Sequence, residues 1–304
     1  MDSCLDEALE ASVRALAAPE AALSRDPYWP KWDSPWWHMT LLWELGEARR
    51  IPPLAARAMA EAMDRHYLKT FPFRPGELPP GKDISLDVGC HCALGTMYQV
   101  LGACGIDVDG RLPWIRTWFT RYRLPDGGLN CDETVYARPV PRSSVVSTVP
   151  VLEAVLGMAC RTPEEEAMLD AGAEYLLKRR LFRSLSKGGT VMDEAWLKLT
   201  FPRFYHYDVL RGLSFLAGWA KSRGARLPGR AVAEAVAAVR VHEKAGSLAV
   251  GLRAWETDGT LVPDGRGGSL KEARAASFAL LEAVSRVGEA NPWLTRRWTD
   301  FVRP

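Results

Sequence analysis

The stretch GCHCALGTMYQVLG, Gly89–Gly102, decides the fold class. It is apolar nearly all round, opens on two thiols and an imidazole, and stops at Leu-Gly. A helix with no polar stripe is buried on most sides. Four other stretches share this design: SPWWHMTLLWELG to Gly46, SSVVSTVPVLEAVLG to Gly157, YHYDVLRGLSFLAG to Gly218 and EARAASFALLEAVSRVG to Gly288. Their final glycines are separated by 56, 55, 61 and 70 residues. Each glycine stands where a helix C-cap is expected.

Between the apolar stretches run charged, amphipathic ones: Leu54–Leu68, Arg111–Tyr122, Pro163–Arg180 and Arg230–His242, with further ones at Leu5–Leu16 and Pro292–Val302. Their Arg- and Glu-rich faces belong on the outside. SSVVSTVPVLEAV is β-branched, yet it falls in step with the helical repeats, so a helix from about Val145 is predicted, with Pro150 near its first turn or kinking it. Strand signals are otherwise scarce. Alternating buried and amphipathic helices form either an open solenoid or a closed double ring. Helical solenoid repeats are shorter, roughly 33–47 residues. The longer, uneven period therefore predicts an all-α fold, an α/α toroid of five to six helix pairs, as a single domain over residues 1–304.

Composition narrows the function classes. Apolar residues are 47% and charged residues 25% of the 304, which is ordinary for a globular protein. A net charge of +2 carries no nucleic-acid footprint. No apolar run reaches the roughly 18 residues of a membrane span. The acidic, amphipathic start MDSCLDEALEASVRALAAPE lacks the features of a secretory signal. Six cysteines in a chain of this length read as reduced thiols in a cytoplasm rather than as a disulfide framework.

Certain segments resemble the prenyltransferase and squalene–hopene cyclase superfamily. IRTWFTRYRLPDGGLNC (Ile115–Cys131) resembles its outer helix followed by a DGG turn, and FYHYDVLRGLSFLAG (Phe204–Gly218) is similar to the inner-helix start that carries a zinc-ligand His in protein prenyltransferases. DGGLNC, SSVVSTVPVLEAV, LFRS and FPRFYHYDVLRGL together resemble bacterial squalene-cyclase-like proteins. The resemblance implies the toroid, and an apolar, isoprenoid-like substrate in a central cavity. The chain also departs from these patterns. DVDG (Asp107–Gly110) and DISLD (Asp83–Asp87) do not fit the DxDD acid of terpene cyclases, a DDxxD magnesium site is absent, and no Asp-x-Cys precedes His206. GCHCALG echoes the Cys-His-Gly of lanthipeptide cyclases without its glycine.

In a toroid the inner-helix starts gather at one rim. Asp33 and His38, Asp87, Cys90, His91 and Cys92, His206 and Asp208 stand at such starts, and Cys131, Asp132 and Glu133 lie in a loop leading to another. Three readings follow. In the first, a terpene-cyclase-like enzyme uses Asp208 as its acid, with His206 and Tyr205 assisting; Trp32, Trp36, Trp37, His38 and Tyr207 bind the substrate, and aromatic faces stabilise a cation by roughly 0.5–2 kcal/mol each. In the second, Cys131, His206 and one of Cys90 or Asp208 hold a catalytic zinc with one open position. Cys90 and Cys92, two apart, converge only if the first turn is not yet helical. The third is a non-catalytic lipid- or peptide-binding toroid. Each set also has a structural reading, with thiols as small hydrophobes, acids as helix caps and tryptophans as core. Gly265–Ser277 is a further glycine-rich segment, with Arg266 and Lys271, that could cradle a phosphate before a helix.

Overall fold

The computed structural model describes residues 3–17, 23, 26–72, 74, 76–263 and 270–302. The described residues are mostly helical, in agreement with the all-α expectation. The main helices are α1 (Ser3–Ala15), α2 (Pro35–Glu44), α3 (Pro53–His66), α4 (His91–Ala103), α5 (Pro113–Arg121), α6 (Val145–Leu156), α7 (Pro163–Lys178), α8 (Val209–Ser222), α9 (Gly229–Arg240), α10 (Ala279–Val284) and α11 (Pro292–Val302).

The apolar stretches form the buried helices α2, α4, α6 and α8. In α2 every residue but Trp43 is buried. Their starts are set locally. Ser34 is extended ahead of Pro35, Ser144 accepts a bond from the Ser147 amide, and Asp208 accepts one from the Arg211 amide. The charged stretches form α3, α5, α7 and α9. The first of these packs against α2, α5 against α4, α7 against α6 and α8, and α9 against α8. A full capping box, Thr162 with Glu165, opens α7.

The buried helices neighbour one another in chain order, α2 on α4, α4 on α6 and α6 on α8. The tightest crossing joins α4 to α6 at Gly95. A Cβ there would lie 2.7 Å from the backbone of Pro150 and Val151. Pro150 lies inside α6, and the Gln99 amide donates to its carbonyl at 3.3 Å.

Three expectations are corrected. The fifth apolar stretch yields only the short α10, which packs on α1, whereas α11 packs on α8 and its Trp293 Nε1 donates to the Leu45 carbonyl just past α2, at 3.0 Å. The Leu-Gly endings are not uniform caps. Gly46 and Gly288 have positive φ and Gly157 is a cap, but Gly102 and Gly218 lie inside helices that run on to Ala103 and Ser222. Finally, two hairpins occur. The first pairs β1 (Glu243–Lys244) with β2 (Ser247–Leu248). The second pairs β3 (Gly259–Pro263) with β4 (Leu270–Arg274), in the register Thr260↔Ala273 and Val262↔Lys271. The glycine-rich segment therefore does not open a helix: Lys271 is an exposed strand residue, and Arg266 and residues 264–269 lie outside the described residues.

Buried charge fills the space between the helices. Arg211 of α8 meets Glu153 of α6 through Nη2–Oε2 at 2.6 Å and Nε–Oε1 at 3.1 Å. Glu44 of α2 accepts from the amides of Phe204 at 2.6 Å and Arg203 at 3.0 Å. Burial, reinforced by the Arg203 guanidinium, lowers Arg297 of α11 to about 10; Glu44 and Glu153 act against that shift.

Candidate metal centre

Three thiols meet where α4 and α6 begin. Cys90 is the N-cap of α4, with extended backbone (φ −73°, ψ 155°). The condition set by sequence is thereby met: its side chain leaves the helical register, and its Sγ lies 3.2 Å from Cys92 Sγ. Cys131 enters on the loop after Gly127-Gly128. Gly127 has φ +100° and passes close to the Ala171 carbonyl, and Gly128 has no room for a Cβ beside Thr148 and Ser143. The Cys131 amide donates to Ser147 Oγ at 2.9 Å, and its Sγ lies 3.7 Å from Cys92 Sγ. The three sulfurs all lie within 4.8 Å of one another, a group that could hold a metal ion. All six cysteines are unbridged.

Hydrogen bonds from the Cys90 and Cys92 thiols pull Cys131 well below the ordinary thiol range. The same bonding with Cys131 pushes Cys90 and Cys92 up. The trio thus holds one preferred thiolate beside two helix N-termini, an arrangement that favours metal uptake.

His91, between the two thiols in sequence, turns away into the core. Its Nδ1 accepts from Trp118 Nε1 at 2.7 Å, and its Nε2 faces Tyr136 OH at 3.0 Å. Because Tyr136 OH donates to the Tyr122 carbonyl at 2.9 Å, Nε2 carries the proton. Burial pushes this imidazole down to about 4, so it is neutral and fully engaged.

His206 is not a member of the thiol group, which corrects the expected Cys131–His206 pair. Its Nδ1 lies 3.1 Å from the Arg203 carbonyl and its Nε2 lies 3.2 Å from Asp258 Oδ2. Lys31 Nζ lies 3.5 Å from the same Oδ2 and donates to Tyr205 OH at 2.8 Å, while Tyr205 OH donates to Asp258. These partners hold the Asp258 carboxylate near 2 against the opposing effect of burial. Lys31 and Asp258 carry no local signature in the sequence that marks them as site residues. Asp258 adjoins a hairpin whose signal was legible in the β-branched Thr260 and Val262 and the Pro263-Asp264-Gly265 that follows.

Tyr205 and His206 are aimed by the turn before α8. Phe204 takes a left-handed φ of +51°. Glu44 holds the amides on one side of this turn, and Arg211 Nη1 donates to the carbonyls of Phe204 at 3.0 Å and His206 at 2.8 Å.

Asp208, expected as the acid, is a wholly buried cap. One oxygen accepts from the Arg211 amide at 2.8 Å and the other from the Thr200 amide at 3.0 Å. Burial raises its pKa, and the residue is 0% exposed. Trp32, Trp36 and Trp37 are core residues, at most 1% exposed. Trp32 stacks on Phe204, with ring centroids 4.9 Å apart. His38 is buried between Ser12 and Asp33, and Tyr207 OH donates to the Leu181 carbonyl. None of these five lines an open surface in this structure. Beside this core, Tyr28, Trp29 and Tyr205 are half-buried.

The two polar groups share one end of the helices. Trp32, before α2, lies 5.8 Å from the His206 ring. Burial and Asp258 push the Tyr205 hydroxyl well up, with smaller contributions from Cys92 and Cys90. Among the described residues no helix is long and apolar enough to cross a membrane. Searches against family models, curated proteins and solved structures find no match to this chain.

Proposed function

We propose that the chain is a zinc-dependent enzyme, built as a closed α/α toroid, that activates a thiol or a water at the common end of its inner helices. The neighbour order α2, α4, α6, α8, α11 and the Trp293–Leu45 bond between the last and the first support the ring. Four thiolates or imidazoles close a structural zinc site, whereas three leave a position for substrate. The single observation that carries the reading is the convergence of Cys90, Cys92 and Cys131 within 4.8 Å.

The residues fit the ion. Tetrahedral ligands at a Zn–S distance of about 2.3 Å have sulfurs about 3.8 Å apart. The Cys92–Cys131 separation of 3.7 Å matches this, and the Cys90–Cys92 separation of 3.2 Å needs only a small opening. When bound, zinc on three thiolates supplies a thiolate or hydroxide nucleophile near neutral pH from whatever occupies its fourth position. The chain's own contribution is positional. Ser147 holds the Cys131 loop, and the extended Cys90 brings its thiol to Cys92.

The acid-initiated cyclisation implied by the resemblance has less support. Asp208 spends both oxygens on backbone amides, and Asp258 is ionised, so neither offers a proton at neutral pH. The test is metal analysis of the full chain after metal-replete expression. About one zinc per chain is expected, falling at least tenfold in C92S/C131S. Zinc far below stoichiometric in the unaltered chain would remove the reading.

A further inference from the structure

Lys31, Tyr205 and His206 come from two regions of the chain more than 170 residues apart, and all three meet a single oxygen, Asp258 Oδ2. That is a high concentration of donors for one carboxylate. The cradle itself is rigid. The Lys31 side chain is 12% exposed and its ammonium lies between 5.0 and 5.8 Å from the centroids of Tyr205, Trp32, Trp29 and Tyr28. Tyr205 and His206 sit on the turn clamped by Glu44 and Arg211.

The occupant is held differently. Asp258 immediately precedes β3, and in the partner strand β4 Lys271, Glu272 and Arg274 are all at the surface. The buried anchor of β3 is Thr260, whose Oγ1 accepts from the Lys31 amide at 2.6 Å. Segments with few buried side chains open at low free-energy cost. Exchange of Asp258 for another carboxylate leaves the hydrogen-bond inventory of the cradle unchanged, so the incoming group has only its own ordering and the release of the hairpin to offset.

We propose that Lys31, Tyr205 and His206 form a carboxylate-binding site, filled in this structure by the chain's own Asp258 and taken by the carboxylate of an acidic ligand when Asp258 withdraws. The site owes nothing to the thiol group, so it stands or falls apart from the metal reading.

The experiment is a calorimetric titration of full-length Asp258→Ala with acetate, in the presence of a metal chelator. A second arm uses N-acetyl-aspartyl amide to separate a small free acid from an acidic peptide side chain, and inorganic phosphate tests the preference for a planar anion. Saturable acetate or aspartyl binding at least tenfold tighter than in the unaltered chain is expected, and the double variant K31M/D258A should lose it at least tenfold. Equal binding in D258A and the unaltered chain, equal binding in D258A and K31M/D258A, or phosphate as the preferred anion would each overturn the site. If Asp258→Ala does not fold, Asp258→Ser is titrated in its place. Acetate should then raise the melting temperature of Asp258→Ser, and the absence of any rise also overturns the site.

Discussion

Cys131 Sγ lies 3.7 Å from Cys92 Sγ, across 39 residues of chain, while His206 is tied to Asp258. The thiol of the LNCDE loop therefore meets the Cys-His-Cys start of α4, not the imidazole that begins α8. The first prediction follows from this pairing. A metal that binds only the folded state stabilises it by mass action. Chelator should lower the melting temperature of the zinc-loaded chain by several degrees and leave C92S/C131S unmoved. Equal shifts in both, in a thermal scan with and without chelator, would separate the metal from the thiols.

Gly95 sets how closely α4 and α6 approach, and so where Cys92 stands relative to Cys131. Gly95→Ala would force a Cβ against the Pro150 backbone at 2.7 Å, and backbone cannot rotate aside. Overpacking of this kind costs about 1–3 kcal/mol or more, against a helix-propensity gain of about 1 kcal/mol. Urea denaturation should show a net loss of stability together with weaker zinc retention. A more stable G95A would contradict the close crossing.

Arg211 binds Glu153 and two carbonyls of the turn that carries Tyr205 and His206. Removing one partner of a buried pair costs about 3–5 kcal/mol, because the other charge is left without compensation. Arg211→Met should lose that much in urea denaturation. Adding Glu153→Leu should recover part of it but not all, since the Phe204 and His206 carbonyls still lack their donor. Full recovery in the double variant would assign the whole effect to the ion pair.

Asp258 is held near 2, below its ordinary 3.8, by His206, Tyr205 and Lys31. A carboxyl depressed in the fold contributes stability above the unfolded value and loses it as pH falls through the folded one. Asp258→Asn should therefore be less stable than the unaltered chain at pH 7, by about 1–2 kcal/mol after allowing for partial exposure. The gap should close between pH 4 and pH 2. A gap independent of pH, in denaturation series across this range, would count against an ionic role.

Asp26 behaves in the opposite sense. Burial raises it to about 6, with Asp87 adding to the shift, although it accepts from the amides of Tyr28 and Trp29. The fold favours its protonated form, so that stability is complete below about 3.8 and lost as pH rises through about 6. Asp26→Asn keeps an acceptor for both amides without the charge. It should be more stable than the unaltered chain by about 2 kcal/mol at pH 8 and equal to it near pH 3.5.

The sequence by itself determined four of the five apolar stretches as buried helices and the charged stretches between them as amphipathic ones. Helical period and apolar content are local properties, and a stretch such as Gly89–Gly102 has no polar face to offer water. It also determined the Gly127-Gly128 turn, because only residues without a Cβ suit that backbone beside Ala171 and Thr148. It marked Cys90, Cys92 and Cys131 as candidate ligands, with Cys90 and Cys92 able to converge only outside the helical register. What tertiary structure alone decided is which polar side chains meet. His91 could have been a ligand, but Trp118 and Tyr136 satisfy both of its nitrogens in the core. Asp208 could have been an acid, but two orphan amides claim it. His206 went to Asp258, just ahead of β3 and 52 residues along the chain. The physical reason is common to all three. Each buried polar atom must find a partner, and the choice among partners is made by distances that arise only when remote segments pack.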